Sequence, residues 1–192
     1  MKAVMISIQP KWVEKILSGK KTVEVRKTAP KLKPPFKCYI YCTKEKPGKK
    51  HHYEAFGING KPVQCGGYVV AEFICDEIIP IRVYNNGTIQ SWNCNNLMKS
   101  CVPYDDIVRY IGNNRTGRGW HISKLKIYDK PMDHREFFHP CVKQEYPYCF
   151  DCEHGLQEGE ERPFEGMRYC DVSCGNWLKR PPQSWCYVEE LQ

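Results

Sequence analysis

The stretch ILSGKKTVEVR, residues 16–26, decides how the chain begins to fold. Its first part continues a helical apolar pattern that Gly19 interrupts, and the segment TVEVR then alternates as a strand does. The two valines point to one face, which predicts a core, while Thr22, Glu24 and Arg26 share the other face. Two interpretations of that polar face stay open: a solvated surface with a weak ion pair, or a surface turned toward a ligand.

The residues before this strand predict a strand followed by a short helix. MISI is a short apolar run, and Pro10 then suits the first turn of a helix. Val13, Ile16 and Leu17 recur at helical spacing, and Gly19 ends the helix. The polar strand therefore follows a helix packed on the same core.

The middle of the chain predicts further strands and a second helix. FKCYIYCT and YVVAEFICDEI favour strands, and the connection between them, KEKPGKKHHYEAFGINGKPVQCGG, is predicted to be long and exposed. A helix is indicated by apolar spacing and a glycine stop at Tyr104, Ile107, Val108, Ile111 and Gly112. GNNRTGRG then predicts a loop that presents Arg115 and Arg118, WHISKLKIYD a strand, and PPQSWCYVEEL a last strand that rejoins the main sheet. This order fits a small mixed sheet or a partly closed barrel.

Charge is concentrated in one segment of the 192-residue chain. The net charge is +7, and residues 20–50 hold 11 lysines and arginines against Glu24 and Glu45, a local balance of +9. Such a run is either a solvated face or an electrostatic footprint for phosphates, and composition does not separate the two. No apolar run has the length of a membrane helix and no signal peptide is apparent, so we expect a cytoplasmic protein.

The 12 cysteines fall into two groups under a reducing compartment. Six scattered thiols are predicted to be small core residues: Cys38, Cys42, Cys65, Cys75, Cys94 and Cys101. Residues 139–176 instead combine cysteines with turn residues and acids and cannot bury a core of their own. Their paired spacing predicts a closed structural zinc site formed by Cys149, Cys152, Cys170 and Cys174. Cys141, His139 or His154 could replace one ligand, and reduced or disulfide-paired cysteines are the alternative.

Four motifs in order resemble the ASCH family, relatives of the PUA fold. They are Gly19-x-Lys21-x-x-Glu24-x-Arg26, GGYVVAEF, WHISKLKIYDKP and the terminal PPQSWCYVEEL, which is similar to small ASCH proteins of bacteria and phages. The resemblance implies an α+β, mainly β fold: a PUA-like β-barrel with short helices over residues 1–132 and 181–192. The zinc-binding module at 139–176 would be an insertion before the last strand.

The resemblance also implies an RNA- or nucleotide-binding cleft beside the first helix, lined by Lys21, Glu24 and Arg26. Arg26 can pair with a phosphate in a fork, Lys21 adds a point charge, and Glu24 can accept from a base or orient Arg26. The predicted ligand-binding set is Lys20, Lys21, Glu24, Arg26, Glu72, Arg115, Arg118 and His121, with Tyr104 as a further possible partner.

An enzyme is the alternative, since some family members are amidohydrolases that deacetylate acetylcytidine and others are ribonucleases. The amidohydrolases resemble this chain at Lys21 and Arg26 but use a threonine where it has Glu24. A carboxylate could activate water but cannot follow the same covalent route, and Thr22 with Lys21 as its base could substitute. The chain has no Ser-His-Asp order, phosphate loop or HExxH pattern. The sequence therefore favours a binding protein with a structural zinc over an enzyme.

Overall fold

A computed structural model describes residues 1–44, 54–56, 62–91, 97–140 and 177–191, with side chains throughout except at 54–56, 62–64 and 91. The elements bounded within these residues are two helices of eight residues, a 3₁₀ turn and eleven strands. In chain order they are β1 (Lys2–Ile8), α1 (Pro10–Leu17), β2 (Val23–Arg26), β3 (Phe36–Cys42), β4 (Glu54–Phe56), β5 (Pro62–Gln64), β6 (Val69–Cys75), β7 (Ile78–Val83), β8 (Ile89–Ser91), α2 (Tyr104–Ile111), β9 (Arg115–His121), β10 (Ser123–Met132), the 3₁₀ turn His134–Glu136 and β11 (Trp185–Glu189).

The larger sheet joins the two ends of the described chain. Its five strands lie in the order β10-β6-β3-β1-β11. β1 runs parallel to β3 and antiparallel to β11, with Lys2 opposite Glu189 and Ile6 opposite Trp185. The prediction that the last strand rejoins the main sheet is confirmed.

A second sheet of four strands carries the opening motif, in the order β2-β9-β7-β8. The chain passes from this sheet to the larger one at Ile122, between β9 and β10, and Lys124 just beyond has a φ of 48°. The prediction of a mainly β, α+β fold is confirmed. Among the described strands, however, the two sheets share no ladder, so the expected closed barrel is not found. A closed barrel would need the edge strands of the two sheets to pair, and among the described strands β10 and β11 of the larger sheet do not pair with β2 or β8 of the second.

Apolar side chains cover both faces of the larger sheet. One face of β1 contributes Val4, Ile6 and Ile8 to a cluster that includes Trp120 of the second sheet. The opposite face of the larger sheet packs Met5 and its neighbours in a separate cluster. Because both faces are buried, a polar side chain on these strands must find a partner inside the protein.

The predicted cysteine core is confirmed where the structure describes it. Cys38, Cys42, Cys65 and Cys75 are buried, and Cys101 is half-buried. The pKa of Cys75 is raised to about 12, and burial of the thiol is the largest cause. Cys94 lies outside the described residues, as do the four predicted zinc cysteines, Cys141 and His154.

Both helices begin and end as the sequence predicts. Pro10 opens α1, Ser18 caps it and Gly19 follows with a φ of 73°. α2 ends at Gly112, whose φ of 91° favours glycine. In the described part of the chain, neither helix is long or apolar enough to cross a membrane.

Two loop predictions are wrong. GNNRTGRG is not a loop throughout, because β9 already begins at Arg115. Gly117 allows close packing: a Cβ there would lie 2.5 Å from an Ile111 side-chain carbon and 3.2 Å from the Arg26 carbonyl oxygen. The connection before β6 contains the hairpin of β4 and β5, and WHISKLKIYD is divided between β9 and β10.

Candidate functional site

The polar side chains around β2 are buried, which excludes the solvated-face interpretation. Lys21 is 1% exposed, Glu24 6% and Arg26 8%. Glu24 lies opposite Trp120 in the β2–β9 ladder, so its side chain shares a face with a fully buried indole. The three charged side chains, which we call the charge cluster, therefore lie at the edge of the core.

The Lys21 ammonium is saturated by acceptors. It donates to the carbonyl oxygens of Val23 at 2.8 Å and Ser100 at 2.6 Å, and it lies 3.1 Å from Oε2 of Glu24. An ammonium has three hydrogens, so each has an acceptor. The loop that supplies Ser100 is itself braced, because Oγ of Ser100 donates to the Leu97 carbonyl oxygen at 2.6 Å.

Arg26 extends the charge cluster toward the first and last strands of the described chain, β1 and β11, which are neighbours in the larger sheet. Its Nη2 donates to the Ser7 carbonyl oxygen at 2.5 Å, and Nη1 donates to Oγ of Ser184 at 3.4 Å. Nε lies 3.0 Å from Oε1 of Glu24, but its N–H is not aligned for a hydrogen bond. Arg26 thus bridges Glu24, β1 and the segment that precedes β11.

The charge cluster has an excess of positive charge. Glu24 places one carboxylate oxygen near each cation, so two cations share one carboxylate and the formal sum is +1. An uncompensated charge is costly in a buried site. An anion beside Arg26 would remove this imbalance.

A tryptophan framed by lysines lies next to the charge cluster. Trp12 of α1 has the ammonium groups of Lys11, Lys15 and Lys21 at 4.7, 5.1 and 5.4 Å from its ring centroid. Lys11 is exposed, while Trp12 and Lys15 are half-buried. We call Lys11, Trp12 and Lys15 the lysine–tryptophan surface. It combines an aromatic ring with cations, as single-stranded nucleic-acid sites do.

Sequence reasoning missed the lysine–tryptophan surface, although a signal for it was present. Lys11 and Lys15 are four residues apart and so share one helix face next to Trp12. Only the folded chain shows that Lys21 comes from beyond the helix to the same ring.

The predicted arginines of β9 are placed unequally. Arg118 lies opposite Arg26 in the ladder and is half-buried, with Nη1 donating to the Gly117 carbonyl oxygen at 3.0 Å. Arg115 is exposed and lies opposite Val83, farther along the sheet. Lys20 is exposed beside the charge cluster. Two of the predicted basic residues therefore lie next to the charge cluster: Arg118 is opposite Arg26 in the ladder, and Lys20 precedes Lys21 in the chain.

Glu72 belongs to a different face and a different network. Its Oε2 accepts from the Tyr128 hydroxyl at 2.7 Å, and Lys37 lies 3.9 Å from its Oε1. Glu72 pairs across β3 with Tyr39, which belongs to the apolar cluster on the far side of the larger sheet. Burial, together with the Glu72 carboxylate, raises the pKa of Tyr128 well above its usual range. Glu72 does not contact the charge cluster among the described interactions.

His121 and Tyr104 also have other partners. Nδ1 of His121 lies 2.7 Å from Oδ1 of Asp76. Burial alone would raise the pKa of the Asp76 carboxyl. The hydrogen bond with His121 acts in the opposite direction, and the pKa is lowered overall. The Tyr104 hydroxyl donates to the Gly87 carbonyl oxygen at 3.1 Å and accepts from the Ile89 amide at 2.6 Å. Tyr104 therefore fixes the β7–β8 turn.

In the part of the chain that the structure describes, Thr22 and Lys21 do not form the nucleophile–base pair that the catalytic alternative requires. Thr22 is half-buried, and its hydroxyl forms no hydrogen bond with Lys21 or Glu24 among the residues that the structure describes. The Lys21 hydrogens already point to other acceptors. In the part of the chain with described side chains, no three of His, Cys, Asp and Glu are grouped to hold a metal.

Comparison with known proteins agrees with the sequence motifs over part of the chain. The model of the ASCH domain family matches residues 6–73. The crystal structure of ASCH from Zymomonas mobilis is 17% identical, covering 68% of this chain and 73% of that chain with a TM-score of 0.46. Two of its mutants are also 17% identical, with TM-scores of 0.47; they cover 69% and 68% of this chain and 76% and 73% of theirs. No curated protein matches.

Proposed function

We propose, from the premise that residues 6–73 carry an ASCH domain, that this protein binds RNA or a nucleotide and does not hydrolyse it. The observation that carries the proposal is the excess positive charge of the charge cluster, in which Lys21 and Arg26 share the Glu24 carboxylate. A phosphate beside Arg26 would supply the missing negative charge.

Each member of the charge cluster has a distinct part in this proposal. All three ammonium hydrogens of Lys21 already have acceptors inside the protein, so Lys21 orients Glu24 and ties β2 to Ser100. Glu24 in turn holds Arg26, whose guanidinium offers a planar fork to a phosphate. Lys21 and Glu24 are therefore positioning residues, and Arg26 is the residue that contacts the ligand.

The lysine–tryptophan surface supplies the second half of the proposed site. A base stacked on an aromatic ring contributes about 1–3 kcal/mol, with little dependence on sequence. Lys11 and Lys15 beside Trp12 would neutralise the phosphates that flank such a base. We expect a preference for single strands, whose bases are free to stack.

Salt-dependent binding of a fluorescent single-stranded RNA tests the proposal. Wild-type affinity should fall with added salt, with a slope of about −0.7 per phosphate neutralised. The variant Lys11→Ala with Lys15→Ala should flatten that slope by about 1.4, the sum for two phosphate contacts. Arg26→Lys keeps the charge but removes the fork and should weaken binding about tenfold or more.

The matched control replaces two exposed lysines of β10, Lys126→Ala with Lys130→Ala, and should leave the slope near that of wild type. Equal effects of the two double variants would mean that the basic residues are only a solvated surface. Incubation with acetylcytidine should release no acetate; release that disappears in Lys21→Ala would instead make the amidohydrolase alternative the correct class.

A further inference from the structure

A cavity of about 510 Å³ lies where the described chain enters β11, apart from the charge cluster. Its volume falls within the roughly 300–1,000 Å³ typical of small-ligand sites. Among the described lining residues, all but His139 lie within 177–186, and His139 comes from the segment after the 3₁₀ turn. None of Lys21, Glu24 and Arg26 lines it.

Aromatic and cationic side chains line this cavity together. Trp177 and Trp185 present indole rings, and Lys179 holds its ammonium 5.9 Å from the Trp177 ring centroid. Lys179 and Arg180 are exposed. The described lining residues include no carboxylate, and Lys179 and Arg180 give them a formal charge of +2.

Trp185 is held rigidly enough to serve as a wall. Its Nε1 donates to Oγ1 of Thr28 at 3.1 Å, and its ring packs against Trp120 and Tyr187 at centroid distances of 6.0 and 5.5 Å. A ring fixed in this way loses little conformational freedom when a ligand packs on it.

We propose that this cavity binds one nucleoside monophosphate unit, with the base against the indoles and the phosphate between Lys179 and Arg180. Flat π-faces next to paired cations match a base next to its phosphate. The choice of a nucleotide over other aromatic anions rests on the proposed function. The same unit could come from a free nucleotide or from an RNA strand.

The cavity is connected to the charge cluster through one short segment. Ser184, between two lining residues, accepts from Arg26 Nη1 at 3.4 Å. The carbonyl oxygen of Pro182, a lining residue, accepts from Oγ of Ser7 at 2.5 Å. The segment that lines the cavity therefore also contacts Arg26 directly, through Ser184.

Indole N–H signals in NMR spectra separate the two sites within one sample. The chain has five tryptophans, and single Trp→Phe variants assign their signals. Trp12 reports on the lysine–tryptophan surface, whereas Trp177 and Trp185 report on the cavity. Adenosine 5′-monophosphate is the probe, and adenosine alone and inorganic phosphate alone are the comparison ligands.

The nucleotide should shift the Trp177 and Trp185 signals with saturation, and Lys179→Ala with Arg180→Ala should weaken this binding about tenfold or more. Lys126→Ala with Lys130→Ala should leave it unchanged. A pentaadenylate that shifts these signals more tightly than the monophosphate identifies an RNA strand as the source, and equal affinities identify the free nucleotide.

Three outcomes would overturn the proposal: no saturable shift of Trp177 or Trp185 with either nucleotide, the same shifts with inorganic phosphate alone, or an affinity unchanged by the loss of both cations. If Trp12 shifts while the two cavity signals do not, the cavity fails and the proposed function stands. If the cavity signals shift while Trp12 and the Arg26 variant show no effect, the proposed site fails instead.

Discussion

Replacing Glu24 by glutamine should destabilise the protein far more than its modest change in shape suggests. The substitution keeps the side-chain size but removes the carboxylate that lies 3.1 Å from the Lys21 ammonium and 3.0 Å from Arg26 Nε. Two cations then stay buried together without a counter-charge. Removing one partner from a buried ion pair costs about 3–5 kcal/mol.

That cost translates into a large shift of the melting temperature. At about 2–4 °C per kcal/mol for a chain of this size, Glu24→Gln should melt about 6–20 °C below wild type. Thermal and urea unfolding followed by circular dichroism would measure the loss. Glu14→Gln, on the exposed side of α1, is the matched control and should stay within about 0.5 kcal/mol of wild type.

Added phosphate gives a second, independent readout. If excess positive charge is what destabilises Glu24→Gln, phosphate should raise its melting temperature more than that of wild type, because an anion bound to the folded state stabilises it. A loss below about 1 kcal/mol, the range of an exposed pair, would refute the reasoning. It would show that water, rather than the protein interior, surrounds the Glu24 carboxylate.

Two further predictions concern metal and pH. The purified protein should contain one zinc per chain by elemental analysis, and a folded protein that is metal-free or has disulfides at these thiols would contradict the site at Cys149, Cys152, Cys170 and Cys174. Hydrogen bonds from Arg135 lower the pKa of Asp133 from 3.8 to about 2, so this carboxylate stabilises the fold above about pH 4 and loses that effect as the pH falls toward 2. The melting temperature of Asp133→Asn should therefore lie below that of wild type near neutral pH and converge with it across this acidic interval; a constant difference would count against the assignment.

Local signals were sufficient for the helices and for most strands. Pro10, Gly19 and Gly112 act through the backbone of their own turn, so their effect is visible in the sequence. Gly117 shows the limit of such signals. Next to asparagines and arginines it suggests a loop, but in the fold it lets β9 approach Ile111 closely. Turn rules describe the backbone within a single turn, so they do not predict this contact between a strand and a helix side chain.

The membership of the site depended on long-range pairing and could be predicted only in part. Lys21, Glu24 and Arg26 were singled out together, and the structure brings them together. The sequence predicts Glu72 on a strand next to the cleft, but the register puts it on the far face beside Tyr39. Whether a strand residue faces one cluster or the other follows from register, which one chain's sequence does not display.

The contacts of the charge cluster connect distant segments of the chain. A single variant therefore cannot separate a role of the cluster in folding from a role in binding. Lys21 reaches Ser100, and Arg26 reaches both Ser7 and Ser184, so the motif residues also hold the two sheets together. The motif could therefore be kept for folding, for binding, or for both.

Replacing the whole cluster by Lys21→Met, Glu24→Leu and Arg26→Met separates these roles. Apolar replacement of a complete buried ion group is often neutral or stabilising, so the triple variant should melt well above Glu24→Gln. If the cluster binds phosphate, the folded triple variant should nevertheless lose RNA affinity at least as strongly as Arg26→Lys does. A triple variant that folds and binds RNA as well as wild type would show that the charges serve architecture alone, and RNA recognition would then have to come from the lysine–tryptophan surface and the cavity beside Trp177.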